Sequence, residues 1–220
     1  ERGDPLVDRA FHERRTRLEA FADRYFDSAA GLRLSPQTAD FAEAGRWLHS
    51  PRTGLDGVVA KLRDAPYASG ERTAMQKVKR LRTADCVVGG FRYGTHTTAV
   101  GSLLLGLHDD EGRLHHVGFT SNIPRDERAQ LTRKLEALKE EPGFTGRAPG
   151  GPSRWSTARS ADWVPLRTEL VIEVRYDHFS EGRFRHGTAF QRWRPDKAAR
   201  QCTLDQLEHT GASPLELLPS

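Results

Sequence analysis

The sequence predicts an α+β fold in two parts: helices leading into a pair of charged strands, then five strands interrupted by one helix. Three observations predict it. Apolar residues recur at helical spacing before residue 50. A short apolar run, Val58-Val59-Ala60, precedes the alternating segment Lys77-Val78-Lys79, and both read as strands. Beyond residue 85, Val-, Leu- and aromatic-rich runs return between turn signals, with a single leucine-striped helix among them.

Taken in order, residues 5–26 predict a helix with Asp4 as cap and Pro5 at its first position. Leu6, Phe11, Leu18, Phe21 and Tyr25 give its apolar stripe, and Arg9, Arg14, Arg15 and Arg17 lie off it. Leu32 and Leu34 mark a short strand, and Ser35 to Thr38 open a second helix running to about His49. Phe41, Ala44, Trp47 and Leu48 are its inward residues. Val58 to Ala60 then predict a strand buried on both faces. Lys77 and Lys79, two residues apart on the next strand, point to one face.

Five strand candidates follow: Asp85 to Phe91, Gly101 to Leu107, Leu114 to Thr120, Glu169 to Tyr176 and Arg183 to Trp193. Asp109-Asp110-Glu111-Gly112 turns the second into the third. A helix from Pro124 to Glu140, with Leu131, Leu135 and Leu138 buried, separates the third from the fourth, and Pro142 stops it. Five strands with a helix at that position is the order of an OB-fold β-barrel. The boundary between the parts falls near Arg82 to Asp85. Residues 142–166, rich in Gly, Pro, Ser and Arg, read as a long loop, and 207–220 as a loosely ordered tail.

Composition narrows the class. The 220 residues are 36% hydrophobic, with a mean hydropathy of −0.66. No apolar run approaches the ~18 residues of a membrane span, and no signal peptide is visible, so a soluble cytoplasmic protein is expected. The first residue is Glu1, which suggests a processed, trimmed or incomplete product. Net charge is only +4, but the basic residues cluster at Arg14-Arg15, from Lys77 to Arg82 and from Arg183 to Arg194. Cys86 and Cys202 have no CxxC spacing, which argues against a structural zinc site or a disulfide framework. Cys86, beside Val87 and Val88, reads as a core residue.

The cations themselves are informative. Of 34 Lys and Arg only six are Lys: Lys61, Lys77, Lys79, Lys134, Lys139 and Lys197. Where Lys persists in an arginine-rich chain, a compact point charge is the requirement, and three of the six lie between residues 61 and 79. Two ammonium groups on one strand face suit a polyanion between them. Asp56, just ahead, supplies a hard oxygen of the kind Mg²⁺ takes. The plainer alternative is a solvated hairpin.

Other motifs stay weak. Gly89-Gly90-Phe91-Arg92-Tyr93-Gly94 lacks the lysine and the strand-loop-helix setting of a P-loop, and reads as a strand ending in a bend. Phe184, Arg185, His186, Phe190, Arg192 and Trp193 could stack bases, although half must face a core. His115 and His116 adjoin on a strand and so point opposite ways, against paired metal ligation.

Asp56-Gly57-Val58-Val59-Ala60-Lys61 resembles motif IV, Lys77-Val78-Lys79 motif V, and Arg194-Pro195-Asp196-Lys197 motif VI of the ATP-dependent DNA ligases. The order matches the small bacterial ligases linked to end-joining repair, over residues 4–208. Asp56 stands where the family usually has Glu, and Met75-Gln76 where an aromatic residue usually precedes the lysines. Neither departure removes a charge. The resemblance implies the C-terminal part of a nucleotidyltransferase (adenylation) domain over 1–84 and an OB-fold DNA-binding domain over 85–206. It implies catalytic Lys61, Lys77 and Lys79, and ATP or pyrophosphate contacts from Lys77, Lys79, Arg194, Asp196 and Lys197. It further implies metal binding by Asp56 and DNA contacts from Arg80, Arg82, Arg92 and Arg185. ATP and Mg²⁺ are the implied cofactors. Nicked duplex DNA is the implied partner of a monomer, with end-joining repair proteins beside it.

The family nucleophile sits in K-x-D-G, and this chain has no lysine before Lys61. The sequence therefore reads as the C-terminal portion of such a ligase, inactive alone. Two alternatives stay open: a non-catalytic nucleic-acid-binding OB-fold fragment, and an RNA ligase or capping-type nucleotidyltransferase.

Overall fold

A computed structural model of the chain describes residues 3, 5–26, 31–49, 55–150 and 162–207. Two units divide between Arg80 and Leu81. The first holds helices α1 (Phe11–Tyr25) and α2 (Phe41–His49) and a hairpin of β1 (Gly57–Lys61) and β2 (Met75–Lys79).

Helix α1 starts six residues later than the sequence predicts. Arg9 donates its N–H to the Leu6 carbonyl at 3.1 Å, closing a turn. Ala10 then takes an extended conformation (φ −55°, ψ 147°), which no helix can pass through. Asp4, the expected cap, lies outside the described residues. The predicted stripe is corrected too: Ala22 is the buried residue of α1, while Leu18, Phe21 and Tyr25 are exposed.

Helix α2 starts at Phe41 because Asp40, not Ser35 to Thr38, caps it. The Asp40 carboxylate accepts the Ala42 N–H at 2.8 Å. Phe41, predicted inward, is 92% exposed. Leu32 and Leu34 form no strand.

Strand β1 also differs from its expectation of burial on both faces. Among the described residues it pairs only with β2, antiparallel, so Val59 stays 52% exposed. A two-stranded ribbon has too little surface to cover either face fully.

The second unit is built on one antiparallel sheet in the order β10-β7-β3-β4-β5. Its strands are β3 (Arg82–Tyr93), β4 (Val100–His108), β5 (Leu114–Thr120), β7 (Val171–Tyr176) and β10 (Ala189–Trp193). Short β6 (Val164–Pro165) adds to β3, and β8 (Phe179–Ser180) pairs with β9 (Arg183–Phe184). The predicted Arg183–Trp193 strand is thus two pieces, β9 and β10.

The sheet closes on itself. Thr120 at the end of β5 bridges to Thr188 ahead of β10, with the Thr120 hydroxyl donating to the Thr188 carbonyl at 3.0 Å. Helix α3 (Arg128–Glu136) is shorter than predicted, but it buries Leu131, Leu135 and, just past its end, Leu138. Val87, Val88, Phe91, Leu103, Leu105, Leu107 and Ile172 fill the interior with no exposed surface. Gly89 is required in β3 by packing: a Cβ there would stand 2.7 Å from the Phe144 ring. Cys86 and Cys202 are buried free thiols, and burial raises the pKa of both.

Candidate functional site

Two groups of charged side chains stand out, one in each unit. In the first, the hairpin register sets Lys61 opposite Met75, Val59 opposite Lys77 and Gly57 opposite Lys79. Directly paired residues of an antiparallel ladder share a face. Lys61, Lys77 and Lys79 therefore stand on one face, with Val58 and Val78 paired on the other. Both lysines of β2 are exposed.

Gly57 lets the strands approach this closely, because a Cβ there would fall on the Val78 carbonyl oxygen. Asp56, exposed at the head of β1, is held through its carbonyl, which accepts the Arg80 N–H at 2.9 Å. Lys61 is anchored differently from the other two: its ammonium lies 4.9 Å from the centre of the Phe11 ring. Arg14 covers the same ring at 5.9 Å and Tyr67 at 5.8 Å. The His12 N–H to the Arg63 carbonyl, 3.0 Å, ties α1 to the turn after β1.

In the second unit Arg194, Asp196 and Lys197 form one ionic cluster with Asp85. Arg194 Nε and Nη2 donate to Asp196 at 3.0 and 2.9 Å, and Arg194 Nη1 donates to Asp85 Oδ1 at 2.8 Å. Lys197 Nζ reaches Asp85 Oδ2, also at 2.8 Å. The hydrogen bonds from Arg194 lower the Asp196 pKa to about 2, and the two carboxylates raise that of Arg194.

Asp85 escaped the sequence reading. Its signal is a carboxylate opening the apolar run Cys86-Val87-Val88, where a charge at a core edge needs a cationic partner.

The arginines expected to meet DNA are dispersed. Arg80 follows β2, Arg82 and Arg92 lie at opposite ends of β3, and Arg185 is exposed just after β9. Arg82 keeps its Nε buried. Of the basic and aromatic mixture, Phe184 is buried against Tyr176 and Phe179, whereas Arg185 and His186 face out. Arg192 pairs with Glu173 at 2.6 Å.

The adjacent histidines part ways. His115 Nε2 meets Asp109 Oδ2 at 2.7 Å, and its Nδ1 accepts the Arg147 N–H at 3.1 Å, which fixes the proton on Nε2. His116 is buried against Phe144, with a pKa lowered to about 3, first by desolvation and then by Arg183, Arg92 and Arg147. Among the described residues no three His, Cys, Asp or Glu come together as a metal cluster. Nor is any described helix long and apolar enough to cross a membrane.

Comparison with known proteins gives consistent matches. The family model for the ATP dependent DNA ligase C terminal region matches residues 96–197. DNA ligase C2 of Mycolicibacterium smegmatis is 42% identical over 222 residues, which cover 93% of this chain and 61% of that protein. DNA ligase C of Mycobacterium tuberculosis is 40% identical over 220 residues, with the same shares. The crystal structure of the ligase domain from M. tuberculosis LigD superposes with a TM-score of 0.50 at 30% identity, over 91% of this chain and 62% of that one. The chain thus spans about three fifths of the length of these relatives.

Proposed function

We propose that the chain belongs to the ATP-dependent DNA ligase family and that the intact protein seals nicks in duplex DNA with AMP taken from ATP. In this scheme a lysine nitrogen attacks the α-phosphorus of ATP, forming a P–N bond as the bond to pyrophosphate breaks. The 5′-phosphate of the nick then attacks the same phosphorus and the lysine leaves. Finally the 3′-hydroxyl attacks the 5′-phosphate, closing the strand and releasing AMP. The 220 residues contain no K-x-D-G sequence, and the nucleophile is not assigned among them.

The observation that carries the reading is the convergence of Lys61, Lys77 and Lys79 on one hairpin face. In every step negative charge shifts among phosphoryl oxygens, so catalysis is positioning plus electrostatic stabilisation. Lys77 and Lys79, exposed and side by side, hold the α-phosphate. Lys61, steadied over Phe11, completes the set. Arg194 and Lys197 act on the departing pyrophosphate, and Asp196 orients Arg194 rather than meeting the triphosphate, which it would repel.

Asp56 suits Mg²⁺, an ion commonly held by one or two carboxylates plus substrate phosphates rather than by a full protein cage. When bound, it would neutralise phosphate charge. The second unit, with its closed five-strand sheet and helix between the third and fourth strands, is the OB-fold that grips the duplex through Arg82, Arg92 and Arg185, and Arg80, at the end of the first unit, adds a further phosphate contact.

The test follows the label. The intact protein, given ATP labelled in the α-phosphate and Mg²⁺, forms a lysine-linked AMP adduct and passes it to nicked DNA. Lys197→Ala loses adduct formation yet seals a nick that already carries AMP. Transfer to RNA ends in preference to DNA would overturn the assignment, as would equal loss of both steps in Lys197→Ala.

A further inference from the structure

The ionic cluster of the second unit contains one member that the ligase scheme leaves without a role. Arg194 and Lys197 carry two positive charges, and Asp85 and Asp196 two negative ones. The two carboxylates are not equivalent. The Asp196 side chain is 63% exposed, whereas that of Asp85 is 13% exposed, with Arg194 and Lys197 at 18% and 26%. Asp85 also stands on a core strand, between buried Ala84 and Cys86, and pairs in register with Glu173 of β7.

Its main chain is clamped from outside the sheet. The Gln206 side chain accepts the Asp85 N–H at 2.9 Å and donates to the Asp85 carbonyl at 3.0 Å. The same Gln206 amide donates to the Thr203 carbonyl at 2.8 Å, so the 3₁₀ turn Leu204–Leu207 braces the clamp. From this fixed point each Asp85 oxygen takes one cation. Arg194 in turn has its own N–H on the Val171 carbonyl, 2.8 Å away.

We propose that Asp85 is the positioning residue for the Arg194–Lys197 pair: it sets where both cations stand for adenylation without touching nucleotide. The proposal rests on the ligase reading above. Donor arithmetic supports it. A guanidinium has five N–H donors and an ammonium three. Arg194 uses three on the two carboxylates and Lys197 one, so each keeps two for a phosphate. Sharing one rigid carboxylate fixes the spacing of the two heads and leaves those donors available. A purely structural tie gains little from a second cation, since a partly buried ion pair contributes little net stability.

The experiment separates steps in the intact protein. Asp85→Asn keeps the shape but not the charge that holds two cations. Enzyme–AMP formation from ATP is expected to fall about 10- to 100-fold, the usual scale for a group supporting a functional residue. Sealing of a pre-adenylated nick stays near the wild-type rate. Because Asp85→Asn could disturb the fold, exposed Gln206→Ala provides a second test. It loosens only the clamp, and a smaller loss confined to the same step is expected. A wild-type protein that neither forms enzyme–AMP nor seals nicks refutes the ligase reading itself. If the wild type performs both steps, the positioning role fails when the folded variants lose both equally, lose neither, or adenylate faster.

Discussion

A lysine ammonium and an arginine guanidinium carry the same charge, but only the ammonium concentrates it at one strongly hydrated point. That difference makes Lys77 and Lys79 legible in a chain with 28 arginines, and the register of β1 with β2 places them on one face. Lys77→Ala or Lys79→Ala is expected to slow nick sealing by the intact protein by ~10²- to 10³-fold, the usual cost of one lost stabilising contact to a reacting phosphoryl group. Both side chains are exposed, so the melting temperature should not move. Sealing at the normal rate would return the pair to a solvated hairpin. His116 makes a different prediction at the same scale. Its folded pKa of about 3 lies below the unfolded value of 6.5, so below pH 6.5 the unfolded chain takes up a proton that the folded one refuses. Stability therefore falls as pH drops from 6.5 towards 3, by at most about 1.4 kcal/mol per pH unit. His116→Phe should flatten that slope in denaturant titrations at pH 6.5 and 5; an unchanged slope would locate its origin elsewhere.

At the level of elements, the strands of the second unit were readable because turns and apolar runs are local signals. Leu114–Thr120 appears with the bounds that its alternation suggests, and α3 buries the leucines that its stripe marks. The misread elements depended on partners. Helix α1 begins where a turn at Leu6–Arg9 ends, and β1 is exposed because it pairs only with β2 among the described residues. Which cations pair with Asp85 is hidden for the same reason: they lie 109 and 112 residues away. Phe41 shows the limit of the helical pattern, since a residue at a plausible inward position can sit at the first turn and face water. The hairpin can be tested as an element. Gly57→Ala puts a methyl group onto the Val78 carbonyl, and such overpacking costs about 1–3 kcal/mol. The expected result is faster protease cleavage between residues 62 and 74 and slower nick sealing. Gly45→Ala in α2 is the control for an added methyl group, because its backbone is not left-handed and nothing beyond its chain neighbours and its own helix backbone lies within 4 Å of its Cβ position. Equal resistance of Gly57→Ala and wild type would show that the strands do not need this approach.

For the whole molecule, charge distribution matters more than net charge. A formal +4 is modest, yet arginines recur along β3, after β9 and at the end of β10. Carboxylates pair with some of them: Arg192 with Glu173, and Arg194 with Asp85 and Asp196, though Arg194 keeps two N–H donors outside those pairs. Arg185, exposed after β9, has its main chain anchored to the His178 carbonyl at 3.0 Å. On the proposed ligase reading such a surface meets duplex DNA chiefly through phosphates, and each neutralised phosphate releases condensed counterion. Affinity for a nicked duplex should then fall linearly on a log–log plot against salt, with a slope of roughly −0.9 per phosphate contact. Arg185→Ala should lower the magnitude of that slope by about one contact and weaken nicked and unbroken duplexes alike. Arg192→Ala should change the slope little, because its charge is already paired with Glu173. Titrations of fluorescent duplex from about 50 to 200 mM salt, over which several phosphate contacts change affinity by orders of magnitude, provide the measurement. Salt-independent affinity would overturn phosphate-led binding. An Arg192→Ala slope change as large as that of Arg185→Ala would show that ion pairing within the protein does not decide which arginines meet the DNA.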